Sequence, residues 1–146
     1  MYLLDTNVWL ERLLNQARAA EVKQLLDALD SAELDVSDFS LHSICVILGR
    51  SQKLALLDQF SADLFIQGRV ALLSVSGADI PSVTTAMQAQ RLDFDDAYQY
   101  VLAKRNNLTL VSFDTDFDHT DLPRRTPAQV LAALPPPPSA SPSGST

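Results

Sequence analysis

The chain has 146 residues, 47% of them hydrophobic, a formal net charge of −7 and one cysteine, which suits one globular domain with a sizeable core. No apolar run approaches the roughly 20 residues that span a bilayer; the start, Met1-Tyr2-Leu3-Leu4-Asp5, lacks a basic leader, and a lone Cys45 excludes an internal disulfide and a cysteine zinc cluster. The cytoplasm is the expected setting, and the acidity argues against a broad basic groove, because phosphate affinity comes mostly from Lys and Arg.

Tyr2-Leu3-Leu4 is a short apolar run ending at Asp5 and reads as a buried strand. Val8, Trp9, Leu10, Leu13 and Leu14 then recur at helical spacing, with Trp9 expected in the core. Ala17 to Leu29 reads as a second helix, with Val22, Leu25, Leu26 and Leu29 on one face. Leu34 to Ser37 reads as a strand, and Ser40 as the cap of a helix that runs to about Arg50, with Cys45 buried in it. Lys53 to Ile66 is helical again, and Val70 to Leu73 is a strand. Gly77 to Arg91 is a helix that tolerates Pro81 only in its first turn. Asp93 to Asn106 is a clearer helix, followed by a strand from Leu108 to Ser112. A short turn follows Asp114, Arg125 joins a last short strand, and Pro127 starts a final helix to Leu134.

Alternating strands and helices of this kind predict an α/β fold. It would be a three-layer α/β/α sandwich around a parallel sheet of four to five strands. From Pro135 the chain turns to Pro, Ser, Ala, Gly and Thr, so residues 1–134 are the expected domain and 135–146 an extended, disordered tail.

Ligands in parallel α/β sheets bind outside the carboxyl ends of the strands. Asp5 follows the first strand directly, and Asp114 follows the last strong strand, so both point to one edge. Each acid also has a structural reading. Asp5 can cap the next helix, Asp93 and Asp96 can serve as N-cap and first-turn acid, and Asp114 and Asp116 can form a turn. Taken together these readings weaken. Two carboxylates about 4 Å apart repel by about 4 kcal/mol at an effective dielectric near 20. A fold that gathers several must protonate them, pair them with Lys or Arg, or bind a cation. Hard carboxylate oxygens suit Mg²⁺ or Mn²⁺, and such an ion assists phosphate-ester hydrolysis.

Three segments carry a family resemblance: Leu3-Leu4-Asp5-Thr6-Asn7-Val8, Leu92-Asp93-Phe94-Asp95-Asp96-Ala97, and Leu108 to Phe117 with Ser112-Phe113-Asp114-Thr115-Asp116. In this order the chain resembles a PIN domain, the ribonuclease fold of VapC-type toxins in toxin–antitoxin pairs and of other RNA-processing nucleases. The resemblance implies that Asp5, Asp96 and Asp114 are catalytic metal ligands and that Asp116 assists. It implies that Thr6, Asn7 and Ser112 hold the acids or water, with Asp93 beside the site. It further implies an RNA substrate, a small antitoxin protein as partner, and a homodimer.

One departure stands out. The family's second acid is usually a Glu early in the helix after the second strand, and here that position is Ser43. Three consequences are open: water and Ser43 complete the metal shell, metal binding is weaker and turnover slow, or the chain is a PIN module that only binds RNA or a protein. His42, beside Ser43, is expected as a helix-surface or packing residue rather than a ligand. Two other folds with acids at strand ends are excluded. A haloacid-dehalogenase-type phosphatase needs an Asp where Asn7 stands, and a receiver domain needs a Lys after its last strand, whereas no Lys follows Asn106. Arg50, Lys53, Lys104, Arg105, Arg124 and Arg125 are the candidate phosphate contacts.

Overall fold

The computed structural model describes residues 1–136 and 138, so the tail expected at 135–146 lies almost wholly outside the described residues. Its strands are β1 (Tyr2–Leu4), β2 (Leu34–Ser37), β3 (Ala71–Leu73) and β4 (Thr109–Val111). They form one sheet in the order β3-β2-β1-β4, with every pairing parallel. Arg125 adds an isolated parallel bridge to Val111, the remnant of the fifth strand expected there. The helices are α1 (Thr6–Leu13), α2 (Ala19–Ala28), α3 (Asp38–Arg50), α4 (Leu54–Ser61), α5 (Ile80–Gln90), α6 (Phe94–Arg105) and α7 (Pro127–Ala133).

Side chains alternate across each strand, and this alternation divides the core. Leu4, Val36 and Val111 face one cluster with residues of α1, α2, α3, α4 and α7. Leu3 and Leu110 face the other, with residues of α5 and α6. The three-layer sandwich predicted from the sequence is therefore the fold. Trp9 and Phe60 meet edge-on in the first cluster, their ring centroids 5.5 Å apart. No helix among the described residues is long and apolar enough to cross a membrane.

Three boundaries and one burial differ from the sequence expectation. The α3 cap is Ser37, whose hydroxyl accepts from Ser40 N at 2.9 Å; Ser40 lies inside the helix, fully buried. Both serines are good caps three residues apart, and the one at the strand's end wins. Cys45 is only partly buried, because Ile44 and Leu48 supply the inward face of α3. The 53–66 helix gives way to a π-helical turn at Ala62–Gln67. Gly68 ends that turn, and a Cβ there would sit 2.5 Å from the Asp63 carbonyl oxygen, so only glycine fits the exit. The 77–91 helix begins as a 3-10 turn, Gly77–Asp79, and Pro81 sits in the first turn of α5, where no intrahelical donor is needed.

Candidate active site

The parallel sheet sends the carboxyl ends of β1, β2 and β4 to one edge, and the segments that leave them begin with polar residues. Asp5, at the end of β1, caps α1 by accepting from Thr6 N at 2.7 Å. Its role does not end there. Ser112 Oγ, one residue past β4, donates to Asp5 Oδ2 at 2.7 Å. Asn7 Nδ2 reaches the same oxygen at 3.4 Å, and Gln99 Nε2 from mid-α6 donates to Oδ1 at 3.2 Å. Both oxygens of the carboxylate thus accept hydrogen bonds, the contact from Asn7 being a long one. Burial pushes the Asp5 carboxyl up, and the bonds from Ser112, Gln99 and Thr6 oppose that shift. Only 8% of the residue is exposed.

Asp96, Asp114 and Asp116 stand in front of Asp5. One oxygen from each lies within 4.8 Å of the other two. Asp96 occupies the first turn of α6, where its amide donates to the Asp93 N-cap at 3.0 Å. Asp114 N donates to Ser112 Oγ at 2.9 Å, and Asp116 N donates to Asp114 Oδ1 at 2.9 Å. The caps and turns are therefore what bring these carboxylates together. Asp96 is pushed up to about 7, first by burial and then by the charges of Asp93, Asp114, Asp5 and Asp116. A carboxyl raised toward neutrality by burial and then by four neighbouring acids marks a place where a positive charge would relieve the repulsion.

The cleft has a volume of about 260 Å³, and its lining includes Asp5, Thr6, Asn7, Ser43, Asp96 and Asp114. Thr6 Oγ1 donates to Ser40 Oγ at 2.8 Å, and Asn7 links Ser112 Oγ to the Phe113 amide. Ser112 is fully buried behind Asp5 rather than in the cleft wall. Asp93 also stays outside the wall, as an exposed cap. Ser43 lines the cleft from α3, and His42 beside it is exposed.

Sequence reasoning missed Gln99. It lines the cleft, is 2% exposed, and donates to both Asp5 and Ser40, the latter at 2.7 Å. Its Oε1 is buried with no hydrogen-bond partner. An unsatisfied buried acceptor costs about 1–3 kcal/mol. The signal available in the sequence was a lone amide inside the run Ala97–Ala103, three residues after Asp96.

The model of the PIN domain family matches residues 2–122. The chain belongs to the PIN domain family. No curated protein sequence matches it significantly. Among solved structures, this PIN domain is similar to a toxin–antitoxin complex from Klebsiella pneumoniae, at 20% identity and TM-score 0.69, covering 87% of this chain and 98% of that one. FitAcB from Neisseria gonorrhoeae matches at 24% identity and TM-score 0.69, covering 88% and 99%. VapC20 from Mycobacterium tuberculosis, a sarcin–ricin-loop-cleaving toxin, matches at 17% identity and TM-score 0.66, covering 84% and 96%. At these identities the likeness speaks for the fold.

The PIN fold ties up several cations proposed for phosphate. Lys104 pairs with Asp121, Arg105 with Asp79 at 3.1 Å, and Arg124 with Asp118 at 3.0 Å. Arg124 also donates to the Ser112 carbonyl at 3.2 Å, so it braces the site from behind.

Proposed function

We propose that this PIN domain, residues 1–134, is a divalent-metal-dependent endoribonuclease of the kind that serves as the toxin of a toxin–antitoxin pair. The observation that carries the reading is the convergence of Asp96, Asp114 and Asp116 within 4.8 Å, with Asp96 pushed up to about 7. This donor set fits Mg²⁺ or Mn²⁺, hard cations bound through carboxylate oxygens. When bound, such an ion supplies Lewis-acid polarisation of a phosphodiester oxygen. The chain's own residues do the rest. Asp96, Asp114 and Asp116 would hold the ion at the cleft mouth. Asp5, fixed by Ser112, Gln99 and Thr6, presents a negative charge of set orientation behind them. Ser43 offers a hydroxyl on the α3 side.

A second reading rests on Ser43 itself. With a hydroxyl where the family usually places Glu, the module would bind metal weakly and act mainly as an RNA or protein binder.

Partners belong to the same proposal. An apolar groove between α1, α2 and α4, about 360 Å³ and lined by Trp9, Leu13, Leu26, Leu56 and Phe60, suits a small protein such as an antitoxin. The toxin–antitoxin complex among the similar structures supports that partner. A homodimer and a cytoplasmic location complete the reading.

The test is cleavage of a mixed RNA pool by purified protein with Mn²⁺ or Mg²⁺. Cleavage should stop in excess EDTA and in Asp5→Asn, with the fold retained. Equal cleavage in EDTA sinks the metal mechanism. No cleavage with either ion, together with measurable RNA binding, favours the second reading.

A further inference from the structure

We propose that Gln99 is the positioning residue for Asp5: its side-chain amide, anchored on Ser40, holds the Asp5 carboxylate in the orientation that metal binding requires. The inference rests on the metal reading above.

Gln99 lies three residues after Asp96, so the two share one face of α6. One helix therefore carries a cleft acid and the donor that fixes another. The Nε2 group spends its hydrogens on Asp5 Oδ1 at 3.2 Å and Ser40 Oγ at 2.7 Å. Turning the amide over would set Oε1 against the Asp5 carboxylate, acceptor against acceptor, so the orientation is dictated by the network. That orientation leaves Oε1 buried without a donor.

Packing alone does not explain this residue. Every position from Ala97 to Ala103 is buried, and an aliphatic side chain at 99 would fill the space with no orphaned oxygen. Folds keep such local conflicts mostly where a site needs them. The uncharged side chains that α3 turns toward Gln99 and the cleft also matter. Ser40 accepts the amide, and Ser43 stands where a carboxylate is usual, so Gln99 anchors to an uncharged wall and directs its donor strength at Asp5.

The variants are Gln99→Met and Gln99→Leu, which keep an apolar filling and remove the donor. Mn²⁺ is titrated calorimetrically into each and into wild type, and thermal unfolding is followed in excess EDTA. The expected result is roughly tenfold weaker Mn²⁺ binding, the scale of losing a group that orients a ligand, with an unfolding midpoint close to wild type because removal of the orphaned Oε1 offsets the lost hydrogen bonds. Unchanged Mn²⁺ affinity in both variants overturns the proposal while leaving the metal reading intact. A midpoint that falls along with the affinity, or variants that fail to fold, would make Gln99 a packing residue and overturn it as well. A wild type that binds no Mn²⁺ removes the metal reading, and this inference with it.

Discussion

Ser112 Oγ donates to Asp5 Oδ2 at 2.7 Å and accepts from Asp114 N at 2.9 Å, so one buried hydroxyl joins the acid after β1 to the acid after β4. The parallel β1–β4 pairing, Leu4 opposite Val111, sets this distance. Two sequence segments more than a hundred residues apart thus become one rigid corner.

Ser112→Ala removes that link and leaves a buried carboxylate oxygen short of its nearest donor. The expected loss is about 1.5–3 kcal/mol, the range for a hydrogen bond to a charged group. Urea unfolding in EDTA measures it. A loss below about 0.5 kcal/mol would mean that Asn7 or water replaces the hydroxyl at little cost.

Asp96 predicts a pH dependence with a definite sign. Its folded-state value of about 7 lies above the ordinary 3.8, so the protonated form stabilises the fold. That contribution is complete below 3.8, shrinks as pH rises, and is gone above about 7. In EDTA, the melting temperature of wild type minus that of Asp96→Asn should therefore fall across this window. Mn²⁺ should cancel the fall, because the ion replaces the proton. A difference that stays flat with pH would show that neither burial nor the neighbouring charges raise Asp96.

Much of this corner was legible in the chain. Asp5, Asp96, Asp114 and Asp116 each follow an apolar strand or open a helix, and parallel topology forces such positions together. The strand at Tyr2–Leu4 was visible as a short apolar run, because a strand covered on both faces is apolar on both, whereas Leu34–Ser37 showed only as a Leu-Asp-Val-Ser alternation whose two polar residues are buried as well. Gln99 and Ser40 were not legible. Both sit inside helices, at positions where spacing predicts core, and their value appears only when α3 and α6 meet behind Asp5. The order of depth was hidden too: local sequence does not say that Asp5 is nearly enclosed by donors while Asp116 is exposed.

Ser43 faces the cleft without a charge. Ser43→Glu adds a carboxylate from α3 and should tighten Mn²⁺ binding, since affinity rises with the number of charged ligands. In EDTA the same variant should be less stable than wild type, because another acid joins a cluster that already raises Asp96. Unchanged Mn²⁺ affinity would place residue 43 outside the ligand shell and weaken the view that its serine limits activity.

Asp96, Asp114 and Asp116 are proposed to form a divalent-cation site. Calorimetric titration of Mn²⁺ into wild type and into Asp96→Asn/Asp114→Asn tests it most directly. Wild type should bind Mn²⁺ saturably and the double variant should not, while melting no lower than wild type in EDTA once the carboxylate repulsion is relieved. Equal Mn²⁺ binding by both proteins, or none by wild type, would contradict it.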